Sequence, residues 1–226
     1  GHSSAASGRG ALTSKTDLVR RFLKGIETGD AMAAAVVDEE RYIQHNPHTA
    51  EGGDGIAALF ARLSKTDPGV TIMRAFEDGD HVFAHVEYDF SSVKIGFEVF
   101  RFDGQYAVEH WDNLQPVAGP NPSGRGMLDG PTEVTDPART EANRAHVRDF
   151  TEEVLIGRAS DRLSAYLAAD LHQHDPLLGD GIAPLAAALK APAEDPAADG
   201  NHELGRAGLV GPVDAVAVVV HAVHAQ

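Results

Sequence analysis

Val70-Thr71-Ile72-Met73-Arg74-Ala75-Phe76-Glu77-Asp78-Gly79 is where the periodicity of the chain changes. Before it, apolar residues recur three and four apart; from Val70 onward the period is two, the pattern of half-buried strands. Upstream, Leu18, Val19, Phe22, Leu23 and Ile26 make the apolar stripe of a helix that Thr28-Gly29 closes. Asp30 is placed to cap a second short helix running to Val37, Arg41 to His45 is a short extended piece stopped by Asn46-Pro47, and Asp54 is placed to cap a third helix carrying Ile56, Leu59, Phe60 and Leu63. Downstream, Glu77-Asp78-Gly79 and Asp103-Gly104 mark turns between about four strands. Helices first and strands afterwards predict an α+β fold with the helices packed on one face of a curved antiparallel sheet.

The chain also repeats itself. Gln44-His45-Asn46-Pro47 returns as Gln173-His174-Asp175-Pro176, and Gly53-Asp54-Gly55-Ile56-Ala57 returns as Gly179-Asp180-Gly181-Ile182-Ala183 in the same order. This predicts two tandem lobes: residues 15–116 as a complete domain, 117–138 as a Pro/Gly-rich linker, and 139–226 as a degenerate, truncated copy. The second copy is expected to hold helices over 147–156, 160–169 and 180–189 and a strand over 213–223, with no counterpart of the hairpin at 93–115. An incomplete sheet leaves an edge to be paired. Residues 1–14 are set apart as leader, because Gly1-His2-Ser3 reads as the remnant of a cleaved tag.

Composition narrows the function classes. The 226 residues carry 19 Lys and Arg against 34 Asp and Glu, a formal charge of −15, so a phosphate backbone is repelled and nucleic acid is not an expected partner. Cysteine is absent, which removes disulfides, thiolate metal sites and a cysteine nucleophile. The longest apolar run, near Ala215 to Val220, is strand-sized, so no membrane helix is expected and the protein is read as cytoplasmic, though a signal peptide upstream of Gly1 is left open. P-loop, dinucleotide and serine-elbow fingerprints are missing.

Alternation on the last strand puts Tyr106, Val108, His110, Asp112 and Leu114 on one face, and Glu109, Trp111 and Asn113 on the other. A carboxylate on a mainly apolar face costs desolvation and would be pushed toward the range of a general base. Asp112 is therefore the leading base, with two bland readings beside it: solvent exposure at the strand end, or a role only in orienting His110. On the preceding strand Phe83, His85, Glu87 and Asp89 oppose Val82, Ala84, Val86, Tyr88 and Phe90, and either face could be inward; if the first, His85 becomes a donor to a developing oxyanion. Tyr42, Gln44, His45 and Asn46 form a third group, Asn46 serving either a turn or a pocket. His45, His85, His110 and Asp112 contain the ligand types of a zinc site, but their spacing is unspecific, and no metal is expected.

Arg41-Tyr42-Ile43-Gln44-His45-Asn46-Pro47, Gly55 opening a helix, Phe100-Arg101-Phe102-Asp103-Gly104 and Glu109-His110-Trp111-Asp112-Asn113-Leu114-Gln115 together resemble the SnoaL-like polyketide cyclase family, most closely its aldol-condensation branch. The resemblance covers about residues 15–116 well and 139–225 weakly. It implies a cone-shaped barrel of the nuclear-transport-factor-2 type around an apolar pocket, homodimers through the outer sheet face, and no cofactor. It also implies that Asp112 removes a proton alpha to a carbonyl and that Asn46 positions the substrate. His110 joins Asp112 as catalytic, and Tyr42, His45, His85 and Trp111 join Asn46 as substrate-binding. The second copy, with Asp175 where the first has Asn46 and no Glu-His-Trp-Asp, is expected to be inert. Two classes of function follow: a cofactor-independent acid/base enzyme acting on an apolar ketone or polyketide-like molecule, with epoxide-hydrolase or ketosteroid-isomerase chemistry as variants, and a non-catalytic binding or dimerisation module.

Overall fold

The computed structural model describes residues 13–46 and 53–191, without the side chains of residues 53 and 54. The chain divides into two compact units, the first taking residues up to Ser91 with Phe97–Asp112, the second taking Ser92–Gly96 and everything from Asn113. The strand expected over 213–223 and the Asp54 side chain lie outside the described residues.

In the first unit α1 (Lys15–Thr28) starts where Ser14 accepts the Asp17 amide, and ends at Gly29, whose φ of 69° is the left-handed conformation a helix C-cap favours. Leu18, Val19, Phe22, Leu23 and Ile26 are all buried. Asp30 caps α2 (Ala31–Ala34) by accepting the Met32 amide; this helix stops three residues short of the expected Val37, whose residue instead makes a bridge to Ala107. β1 (Ile43–Gln44) and α3 (Gly53–Ser64) follow.

The strands β2 (Gly69–Asp78), β3 (His81–Asp89), β4 (Val93–Asp103) and β5 (Tyr106–Pro116) join β1 in a five-stranded sheet of order β1-β5-β4-β3-β2. The long strands run as the expected meander, and β2 pairs antiparallel with β3 across a register shift between Ile72 and Arg74. The sheet is mixed rather than purely antiparallel, because β1 pairs parallel with β5, Ile43 opposite Glu109 and Gln44 opposite His110. That two-residue strand carries too little periodicity to announce its partner.

The helices cover the sheet face formed by Val82, Ala84, Val86 and Tyr88 of β3 and Phe100 and Phe102 of β4. Phe22 meets Phe60 at 5.1 Å and Phe100 at 5.4 Å between ring centroids, so one aromatic of α1 ties α3 to the sheet. Each such ring contributes roughly 1.5–3 kcal/mol by leaving water.

In the second unit α4 (Thr140–Phe150) continues as a π-helical turn over Thr151–Ile156, a 3₁₀ segment spans Ser160–Ala165, and α5 is Ile182–Lys190. Phe150, Val154, Leu163, Leu167, Leu171, Leu185 and Leu189 form its core. The stretch after Pro116 is built into this unit: Asn121 is buried, its Nδ2 donates to the Gln173 carbonyl at 2.6 Å, and its Oδ1 accepts the amides of Ser123 and Arg125. Arg125 donates to both oxygens of Asp180 at 2.8 to 2.9 Å, and Asp180 also accepts the Gln173 amide.

Two outcomes follow from this packing. A Cβ on Gly25 would stand 2.3 Å from the Ala33 Cβ and 3.0 Å from the Phe60 ring, so Gly25→Ala should force α1 and α2 apart and cost about 1–3 kcal/mol in urea unfolding; unchanged stability would refute that close approach. The hydrogen bonds from Arg125, and then from the Gln173 amide, hold the Asp180 carboxyl down at about 2 from an ordinary 3.8. A folded-state value below the unfolded one stabilises at pH above 3.8 and is lost as pH falls toward about 2. Arg125→Gln should therefore lower stability modestly at neutral pH, with the deficit shrinking through that window as pH falls; a deficit independent of pH would contradict the assignment.

Candidate functional site

Along β5 the side chains alternate, and His110 falls on the covered face with the Phe100 ring 4.4 Å away. Its Nε2 lies 2.5 Å from Oε2 of Glu98, whose Oε1 accepts the Tyr88 hydroxyl at 2.6 Å. Glu98 and His110 are 3% and 6% exposed, so the carboxylate is withdrawn from water and relies on these two partners. The other ring nitrogen, Nδ1, lies 2.8 Å from Oε1 of Gln44, which the parallel register of β1 sets directly opposite.

Two residues further along β5, and so on the same face, Asp112 is half-buried and accepts from Nδ2 of Asn46 at 2.7 Å. The Asn46 amide donates to Gln44 Oε1 at 3.0 Å, an Asx-like turn that aims the Asn46 side chain along the sheet face. Tyr42 stacks over His110 at 6.4 Å, and its hydroxyl oxygen accepts from Gln44 Nε2 at 3.4 Å. Burial first, then the charges of Glu98 and Asp112, push the Tyr42 phenol well above its usual range, so it stays protonated. The same causes, with the hydrogen bond to Glu98, hold Tyr88 protonated.

Of the residues singled out from sequence, Tyr42, Asn46, His110 and Asp112 are thus brought together, on one face of the sheet. His45, Trp111 and His85 are placed on the other. His45 stacks on Trp111 at 5.0 Å and pairs with Glu109 at 3.0 Å; that hydrogen bond, followed by the one from Arg101, lowers the Glu109 carboxyl. His85 stacks on Phe97 at 4.4 Å with Nδ1 2.6 Å from Arg74 Nη1. The choice of face on β3 went to Val82, Ala84, Val86 and Tyr88, which puts His85 on the opposite face of the sheet, where it is buried as well.

Glu98 and Tyr88 were missed as site residues. The signal for Glu98 was present: it alternates with Gly96, Phe100 and Phe102, a lone carboxylate on an aromatic strand face, the same feature that drew attention to Asp112. Among the described residues Glu98, His110 and Asp112 are the group with metal-ligand atoms close together, within 4.8 Å of one another. Two of these side chains already face one another, His110 Nε2 against Glu98 Oε2.

An α+β unit with helices on one face of a mixed five-stranded sheet, and polar side chains gathered on that face, is consistent with a nuclear-transport-factor-2-like fold. Residues 19–126 match the family model described as the SnoaL-like domain. Similar solved structures include TsrD from Streptomyces laurentii, 19% identical with 46% of this chain and 91% of that chain covered at a TM-score of 0.40. IdmH from Streptomyces antibioticus, named as a proposed polyketide cyclase, is 14% identical over 46% and 93% of the two chains with a TM-score of 0.39. An LEH-like epoxide hydrolase of M. tuberculosis is 19% identical over 45% and 82% of the two chains with a TM-score of 0.39. No curated protein matches the chain. Among the described residues no helix is long and apolar enough to cross a membrane.

Proposed function

We propose that the SnoaL-like domain is a cofactor-independent acid/base enzyme that removes a proton alpha to the carbonyl of an apolar ketone or polyketide-like molecule, as in aldol condensation or cyclisation. The observation that carries this reading is Asp112, half-buried beside a buried polar cluster and held by Asn46 at 2.7 Å. One carboxylate oxygen is committed to Asn46, which fixes the plane of the group for attack on a C–H bond. Tyr42 supplies the complementary part: its phenol stays protonated, and among the described residues no acceptor takes its hydrogen, so it can donate to the oxygen on which enolate charge develops. The proton moves from carbon to Asp112, the electron pair moves onto the carbonyl oxygen, and the enolate then attacks an electrophilic carbonyl, with Asp112 returning the proton to the new alkoxide.

The finer assignments belong to the same proposal. The second unit is read as a duplicated, chemically silent copy. Gln173 Oε1 accepts the Asp175 amide at 3.0 Å as Gln44 Oε1 accepts that of Asn46, which supports a common origin of the two turns. Pairing of two chains through the outer sheet face is supported by a row of aromatics, Phe76, Phe83 and Phe97, with neighbouring centroids 5.1 and 6.0 Å apart and Phe76 39% exposed.

Asp112→Asn keeps an acceptor for Asn46 and should fold as the wild type while slowing deuterium wash-out from a 1,3-diketone probe by roughly 10²–10⁴-fold; wash-out at the wild-type rate would sink the base assignment, and binding of the probe without any wash-out by the wild type would favour a binding module. Sedimentation should show a dimer that Phe76→Glu weakens, and a monomer at all concentrations would remove the pairing proposal.

A further inference from the structure

The protons on His110 can be counted from its neighbours. Gln44 Oε1 receives a backbone N–H, that of Asn46, and Gln44 Nε2 faces the Tyr42 hydroxyl, so the orientation of this amide is settled: the atom 2.8 Å from His110 Nδ1 is an oxygen. An oxygen without a hydrogen can only accept, so Nδ1 carries a hydrogen. Nε2, the remaining nitrogen, lies 2.5 Å from Glu98 Oε2 inside the protein, and the opposite oxygen of Glu98 is taken by Tyr88.

We infer that His110 is a positioning residue with both ring nitrogens consumed inside the protein, Nδ1–H by Gln44 and Nε2 by Glu98, and that Glu98, itself anchored by Tyr88, is the residue that locks it. The chain of contacts then runs without a gap from the core to the reacting group: Tyr88, Glu98, His110, Gln44, the Asn46 turn, Asp112. Gln44 Oε1 is its junction, held from one side by the His110 ring and from the other by the Asn46 amide, so a shift of the imidazole moves the turn that aims Asn46 at Asp112. Among the described residues the titratable groups around His110 are Glu98, Asp112, Tyr88 and Tyr42, and two of these, the tyrosines, are kept neutral. Asp112 is left as the group of this cluster that exchanges protons with a substrate. This last step rests on the reading of Asp112 as the base; the hydrogen count on His110 does not.

The test is long-range nitrogen–proton NMR on the full chain labelled with ¹⁵N-histidine, at neutral pH and without substrate. The expected spectrum has one ring with a slowly exchanging Nδ1–H and a far-downfield proton shared between Nε2 and Glu98. Absence of the ring signals in His110→Gln assigns them. Glu98→Gln should abolish the downfield proton and keep Nδ1–H; should that variant fail to fold, Tyr88→Phe, which removes only the outer hydrogen bond to Glu98, should shift the same proton. A bare Nδ1, or a downfield proton indifferent to both substitutions, overturns the inference. In diketone wash-out Glu98→Gln should lower turnover about 10-fold or more with KM nearly unchanged, because it loosens the geometry of the base rather than the fit of the substrate. Full turnover in that variant overturns the positioning role, whereas wild-type turnover in Asp112→Asn with the NMR signature intact defeats only the base assignment.

Discussion

A carboxylate buried among phenylalanines is the constraint around which the first unit is organised. Withdrawing an ion such as Glu98 from water costs several kcal/mol, and the cost is offset only if both of its oxygens are met by well-placed donors. The two partners come from the strands on either side, the Tyr88 hydroxyl from β3 and the His110 ring from β5. The order of the sheet is therefore tied to the polar cluster as closely as to the apolar packing: shifting either neighbour of β4 by one residue would turn its donor to the opposite face and strand the charge.

The same constraint explains why a strand of two residues survives. An isolated Ile43–Gln44 pairing offers little by itself, but Gln44 gives the second ring nitrogen of His110 the acceptor it needs. Once Gln44 is held, the following turn places Asn46 against Asp112, and the preceding Tyr42 lies over the imidazole. Alternation then sends His45, the residue between, to the other face, where it finds Trp111 and Glu109. One short run thus serves both faces of the sheet, with polar groups inward and an aromatic stack outward.

How much of this was legible in the sequence follows from periodicity. The stripe from Leu18 to Ile26, the capping roles of Asp30 and Gly29 and the strands after Val70 could be read because each is a local pattern with a local cause. Asp112 and His110 could be placed on one face by the same rule, and Tyr42 and Asn46 stood out in the polar group before Pro47, with the positioning role of Asn46 coming from the family resemblance. The face of β3 could not be chosen, because Val82-Phe83-Ala84-His85-Val86 offers an apolar residue at nearly every position and the partner helices decide. Glu98 was passed over for a different reason. In Phe97-Glu98-Val99-Phe100-Arg101-Phe102 a glutamate and an arginine one apart in parity look like the polar halves of a solvated strand, and only the donors on β3 and β5 reveal that the glutamate is the one facing inward.

The second unit shows what the turn does when those donors and acceptors are missing. Gln173 makes the same amide contact to the residue two ahead, yet among the described residues its Nε2 is buried without a partner. Its backbone is held instead by Asn121 and Asp180, and the histidine that follows turns to the Gly126 carbonyl. At the position of Asn46 stands Asp175, whose carboxyl burial pushes upward, with the Leu177 amide as its hydrogen-bond donor. The turn geometry alone is therefore cheap and recurrent, and what sets the first copy apart is that a buried glutamate on β4 of the same sheet fixes a histidine for the turn to hold.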